Sequence, residues 1–237
     1  MTMPERDKGG GALRGLAPLD TPGARYLVLG SFPSAVSLEK SEYYGHPRNH
    51  FWLLMANIAA SMGGADEGFA KRDEGFAERT EGQGVGGDRG GMKPDLAEAP
   101  KDWSARVDLA ARLGLAIWDL VASCDRDGSL DAAIRRAVLN DVEGFVASRR
   151  SIGLVLLNGV TAATFFARRF APGSGLDSSN VGEAKTIRFG GRELLACRLP
   201  STSPVPTRRF RSAADKLSAW EAGFLHLDPV SRLDKRG

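Results

Sequence analysis

Short apolar runs alternate along the chain with stretches whose apolar positions recur at helical spacing. Tyr26-Leu27-Val28-Leu29 is a run that ends at Gly30 and predicts a buried strand. Residues 49–62 predict a helix, with Phe51, Trp52, Met55 and Ile58 on one side and Asn49 as its N-cap. Leu115-Ala116-Ile117-Trp118 predicts a second strand. Residues 129–137 predict a helix capped by Ser129 with Asp131 in its first turn, and residues 141–148 predict another. Ile152 to Leu157 is almost continuously apolar and stops at Asn158-Gly159, followed by a helix over 160–170. Residues 186–189 and 193–198 flank Gly190-Gly191, the signal of a strand pair. A helix over 212–225 closes the pattern.

Near-continuous apolar strands interleaved with helices require a sheet buried on both faces, which is a mostly parallel one. Ligands of such sheets bind beyond the carboxyl ends of the strands. The residues at those ends are Gly30-Ser31-Phe32-Pro33-Ser34, Asp119 to Ser123, Asn158-Gly159, and Leu199-Pro200-Ser201-Thr202-Ser203-Pro204.

One stretch breaks the pattern. Residues 63–100 hold 10 glycines and carry five basic against nine acidic residues, with little apolar periodicity. A seven-residue unit occurs twice in it, Asp66 to Arg72 and Asp73 to Arg79, too short and too few to build a solenoid. It reads as a disordered insertion in a single domain spanning 25–225, with flexible segments at 1–24 and 226–237.

The 237 residues are 42% hydrophobic and 26% charged, which supports a real core and excludes a mainly disordered or fibrous chain. Two cysteines exclude a framework of several disulfides and an all-cysteine iron–sulfur cluster. They suit a reduced, cytoplasmic chain. No apolar run is long enough for a membrane span or a signal peptide.

The most unusual stretch is Tyr43-Tyr44-Gly45-His46-Pro47-Arg48-Asn49-His50-Phe51-Trp52. His46 and His50 have the spacing of a helical metal pair, but Pro47 places His46 before the helix, so no metal site is expected. Phe51 and Trp52 read as core. Tyr43 and Tyr44 precede the helix and are expected to be free to stack on a flat ligand. Residues 198–216 hold five basic residues against Asp215. Arg208 and Arg209 beside a hydroxyl-rich, proline-stiffened loop suit a phosphate backbone, and equally a solvated charge run. Gly30 to Ser34 is neither a phosphate-binding Walker loop nor a dinucleotide fingerprint. No Gly-x-Ser-x-Gly elbow is present.

Taken in order, Gly30 to Ser34, Tyr43 to Asn49 with Phe51-Trp52, Trp118-Asp119 with Ser123-Cys124 and Gly128 to Asp131, and Leu199 to Pro204 resemble the hypoxanthine-DNA (deoxyinosine) glycosylases of the uracil-DNA glycosylase superfamily. The resemblance runs from about Arg25 to Trp220. It implies a three-layer α/β/α sandwich around a short, mostly parallel sheet. It implies hydrolytic excision of a deaminated base from double-stranded DNA by a monomer with no cofactor. Hypoxanthine is the favoured base. A uracil or mismatch-type glycosylase, or a lesion-binding module without chemistry, are the alternatives. Relatives that act on uracil carry Asp or Asn in the first motif to position water, where this chain has Ser31 and Phe32. Asn49, with Ser31, is therefore the expected catalytic group. The expected base pocket is Gly30, Phe32, Pro33, Ser34, Tyr44, His46, Asp119, Ser123 and Asn158. DNA contacts are expected from Arg48, Ser201, Thr202, Ser203, Arg208 and Arg209. After Pro204 the family continues Ala-Asn, whereas this chain reads Val205-Pro206-Thr207.

Overall fold

A computed structural model describes residues 12–62 and 96–227. In chain order the elements are β1 (Leu13–Arg14), β2 (Tyr26–Gly30), α1 (Ala35–Lys40), α2 (Phe51–Met62), α3 (Trp103–Arg112), β3 (Leu115–Asp119) and β4 (Val121–Asp125). After a short 3-10 turn come β5 (Arg135–Leu139), α4 (Val142–Ala147), β6 (Leu154–Asn158), α5 (Val160–Phe170), β7 (Ala184–Phe189), β8 (Arg192–Leu199) and α6 (Ala213–Phe224).

Five strands form the central sheet in the order β3-β2-β6-β8-β7. β3, β2, β6 and β8 run parallel, and β7 turns back antiparallel on β8. Alternation along each strand divides the core in two. Leu27, Leu29, Val155 and Leu157 pack with α4 and α5 through Val142, Val146, Ala163 and Phe166. Tyr26, Val28, Leu154 and Leu156 pack with α2, α3 and α6 through Phe51, Met55, Leu109 and Trp220. Helices thus cover both faces of a mostly parallel sheet, as the apolar runs require, in the three-layer sandwich that the resemblance implies.

The parallel strands all end on one side. Gly30 pairs with Asp119, and the Leu29–Leu157 pairing sets Asn158 level with Gly30. Asn158 in turn pairs with Leu199. The strand-end motifs therefore lie side by side.

A second, antiparallel sheet, β1-β4-β5, was not visible in the sequence pattern. It claims two expected features. Residues 12–24, read as a flexible lead, include β1 on β4, and Leu19 bridges Ile117. The helix expected over 129–137 shrinks to the 3-10 turn Asp131–Ala133 before β5 pairs with β4. Strand pairing supplies the backbone partners that a helix would have supplied, and the Ser129 hydroxyl accepts the Ala35 N–H instead of capping a helix. At the other end, Leu227 lies close against Gly153, so the packed chain extends beyond residue 225. The duplicated heptapeptide falls outside the described residues. Where the chain resumes, the Asn57 amide bonds both backbone groups of Ala97.

Candidate active site

The loop after β2 is held from several directions. The Gly30 and Ser31 carbonyls accept from the Leu120 and Val121 N–H groups. The Ser31 hydroxyl donates to Asp131 Oδ1 at 2.7 Å. Ser34 caps α1, its Oγ accepting from the Ser37 N–H. The Pro33 carbonyl accepts from the Arg126 guanidinium, which lies 4.7 Å from the centroid of the Phe32 ring. Arg126 is only 8% exposed, and its Nε and Nη1 have no hydrogen-bond partner among the described residues. Phe32 is itself buried with Val121 and Cys124. Its ring supports the loop from within and does not stand open to a base, contrary to its expected place in the pocket. Ser123 likewise departs from expectation: it lies on β4, opposite Arg14 and Val138 in the second sheet.

Asp119 ends β3, 4% exposed. Its carbonyl accepts from the Asn140 amide, which pins the backbone, while Oδ2 has no partner among the described residues. Burial, then the charge of Asp131, lift its carboxyl to about 7, against the opposing pull of Arg126. Gly30 makes this position possible. A Cβ there would overlap Asp119 Oδ1 and would lie 3.6 Å from the Tyr44 hydroxyl. The Tyr44 oxygen is buried beside the Asn158 amide, yet no group among the described residues meets it in hydrogen-bonding geometry. Burial, then Asp119, push both tyrosine hydroxyls upward, so both are neutral.

The two tyrosines are not free platforms. Tyr43 is buried and donates to the Leu16 and Ala17 carbonyls. The Tyr44 ring stacks on Phe51 at 4.0 Å, with Tyr44 in the left-handed region at φ 54°. Aromatic packing outweighs access here, since the stacked face is removed from water along with its neighbour's. The helix after this segment starts at Phe51, two residues past Asn49. Asn49 Oδ1 accepts the Phe51 N–H at 2.9 Å in an Asx turn, and its Nδ2 has no partner among the described residues. His46 Nδ1 accepts the Arg48 N–H, leaving Arg48 exposed.

Asn158 ties the end of β6 to the last motif. Its Nδ2 donates to Thr202 Oγ1 at 3.0 Å, and its Oδ1 accepts the Thr202 N–H at 2.9 Å. The Thr202 carbonyl accepts the His50 N–H, so the same threonine joins the start of α2 to β6. Thr202 is buried, whereas Ser201 is exposed and Ser203 half-buried. Lys216 of α6 was counted in the basic run, but its side chain is 2% exposed. Its Nζ lies 3.0 Å from His50 Nδ1 and donates to the Ser203 carbonyl at 2.7 Å. Burial, then Lys216, lower the His50 imidazole, so a neutral ring accepts from the ammonium. Val205 is 61% exposed, and Arg208 and Arg209 are exposed beyond it.

The strand-end residues Gly30, Ser31, Asp119 and Asn158, with Tyr44 and Thr202, therefore converge, and Asn49 adjoins them through His50 and Thr202. Arg126, Asp131 in its pairing with Ser31, Lys216 and Val205 were not read from the sequence as site residues. Arg126 carries no motif of its own, and Asp131, although part of the Gly128–Asp131 motif, reads in sequence only as a first-turn helix residue, because its partner Ser31 lies 100 residues away. Val205 was signalled only by the departure after Pro204.

No family model matches the chain. It is 27% identical over 213 residues to a hypoxanthine DNA glycosylase of Methanosarcina acetivorans, covering 90% of this chain and 98% of that one. It is 25% identical over 146 residues to the hypoxanthine DNA glycosylase of Methanosarcina barkeri, covering 62% of this chain and 70% of the relative. Among solved structures it is similar to the solution NMR structure of a protein of Methanosarcina acetivorans provisionally described as a uracil DNA glycosylase. There the TM-score is 0.55 and the identity 24%, over 92% of this chain and 99% of that one. The chain thus carries the uracil-DNA glycosylase fold and is similar, along nine-tenths of its length, to a protein named hypoxanthine DNA glycosylase.

Proposed function

We propose that this chain is a monofunctional DNA glycosylase that excises a deaminated base, hypoxanthine first, from double-stranded DNA. The observation that carries this reading is the convergence of the Gly30, Asp119, Asn158 and Thr202 segments at one end of the sheet, in a chain similar over 90% of its length to a protein of that name.

A base inside a duplex is out of reach, so the nucleotide must swing out of the stack, at a cost of a few kcal/mol that is least for a mispaired base. The exposed Val205 at the tip of a loop stiffened by Pro204 and Pro206 is suited to fill the gap. Arg48, Arg208 and Arg209 are suited to the phosphates. Cleavage of the C1′–N9 bond passes through an oxocarbenium-like sugar, which needs only a weakly nucleophilic water. Asn49 orients that water through the amide Nδ2 that its Asx turn leaves free. Backbone N–H groups of the loop from Ser31 to Ser34 bind the base oxygen, the logic of an oxyanion hole. No lysine is assigned as a nucleophile: Lys216, beside the Thr202 loop, is buried and already bonded to His50 and Ser203. Strand cleavage is therefore not expected.

The test is a panel of duplexes holding inosine, uracil or xanthine, with the free base identified by mass spectrometry and strands analysed with and without alkali. Hypoxanthine release with alkali-dependent breaks supports the reading. Tight binding without base release replaces it with a lesion-binding module, and breaks without alkali contradict the monofunctional assignment.

A further inference from the structure

Around the loop after β2 stand two carboxyls, Asp119 and Asp131, and one guanidinium, Arg126. Arg126 spends its bonded nitrogen on the Pro33 carbonyl and bonds neither carboxyl. Asp131 is satisfied by the Ser31 hydroxyl. Asp119 is left 4% exposed, with Oδ2 unpartnered and no cation bonded to it among the described residues. The other groups that face it are neutral: Tyr43, Tyr44 and the Asn158 amide beside Tyr44. An isolated carboxylate is far more costly to bury than a carboxylic acid. Gly30, lacking a Cβ, is what leaves room for the Asp119 carboxyl at the ends of β2 and β3, within contact range of the Tyr44 hydroxyl.

We propose that Asp119 is a neutral carboxylic acid that acts as the general acid of base excision, donating its proton to the departing purine. The inference rests on the glycosylase reading and adds to it how the leaving group is stabilised. The C1′–N9 bond breaks with its electron pair remaining on the purine. The Asp119 proton moves to a purine nitrogen, so the base leaves neutral. Water held by Asn49 adds to C1′ and loses a proton to solvent, and the Asp119 carboxylate regains one from solvent after release. The sum is water plus nucleotide giving free base plus abasic sugar. Arg126 and Asp131 are positioning residues: their opposed charges set how firmly Asp119 holds its proton.

The experiment is single-turnover hypoxanthine release from an inosine duplex between about pH 5 and about pH 9, for the unmodified chain, Asp119→Asn and Asp131→Asn. The protonated-carboxyl band is followed by infrared spectroscopy in the same proteins. The unmodified chain should lose about tenfold in rate per pH unit above about 7. Asp119→Asn should be ~10²-fold slower, with that alkaline limb gone and the infrared band missing. Asp131→Asn should shift the limb to lower pH, since a like charge has been removed, and it remains informative if Asp119→Asn does not fold. An active chain whose Asp119→Asn variant keeps the original rate and profile overturns the proposal and leaves the glycosylase reading standing. An ionised Asp119 at about pH 6 in the infrared also overturns it. No release at any pH by the unmodified chain overturns both.

Discussion

Gly30 and Asp119 are register partners on adjacent parallel strands, and the carboxyl of one occupies the volume that a side chain on the other would need. The pairing joins a backbone requirement to a chemical one. The strand end must be glycine for a buried acid to sit above it, and the acid is buried because the chain on every side closes over it.

Gly30→Ala tests the pairing. The added methyl overlaps Asp119 Oδ1, whose side chain is buried. Overpacking of this kind costs about 1–3 kcal/mol. Chemical denaturation should show a lower midpoint with an unchanged slope, and base release should fall by more than the loss of folded protein explains.

Asn49→Ala should slow excision by ~10²–10³, the range for removing one transition-state hydrogen-bonding group. The same change removes the bond to the Phe51 N–H, so a loss of about 1 kcal/mol in stability is expected alongside. Single-turnover rates measured well below the melting temperature separate the two. Lower stability with unchanged chemistry would reduce Asn49 to a turn residue.

Asp119 also predicts a pH dependence of folding. Its carboxyl is raised from 3.8 to about 7 in the folded chain, so between those values the native state binds more protons than the unfolded one. Its contribution is full below about 4 and is lost as pH rises toward about 7, a change of order 4 kcal/mol at most. Asp119→Asn, which cannot ionise, should therefore gain stability relative to the unmodified chain as pH rises through that window. Parallel pH profiles for the two proteins would contradict a raised Asp119.

Much of this architecture is legible in the sequence because near-continuous apolar strands have few alternatives: β2, β3, β6 and the β7–β8 hairpin all lie where the pattern sets them. The helices over 141–148 and 212–225 are equally readable, and in the structure Asp141 and Ser212 cap them, each with its own side chain. The second sheet is not readable this way. β1 is two residues long and β5 is mostly exposed, so neither carries an apolar run, and only pairing with β4 defines them. The same limit governs the site. Motif residues at strand ends, such as Asn158, lie where expected. The orientation of Phe32 and Tyr44 inward, and the burial of Arg126 and Lys216, depend on partners elsewhere in the chain: Val121 for Phe32, Phe51 for Tyr44, Pro33 for Arg126 and His50 for Lys216. Composition along the chain does not encode those distances.

Arg208→Ala and Arg209→Ala test the basic segment after the Thr202 loop. If these exposed arginines contact phosphates, each change should weaken duplex binding about equally for damaged and undamaged DNA. Each should also reduce the slope of log affinity against log salt by roughly one. Single-turnover excision at saturating DNA should change less than affinity, since phosphate contacts position the substrate and leave the sugar untouched. Slowed chemistry at an unchanged salt slope would assign the arginines to the fold.

The most direct measurement is the release of free hypoxanthine by the purified chain from a duplex with one inosine, with free deoxyinosine nucleoside as the parallel substrate. Release from the duplex, an abasic site left in an intact strand and no cleavage of the nucleoside are the predicted result. Duplex binding without release, or cleavage of the nucleoside alone, would contradict the assignment of this site as a DNA glycosylase.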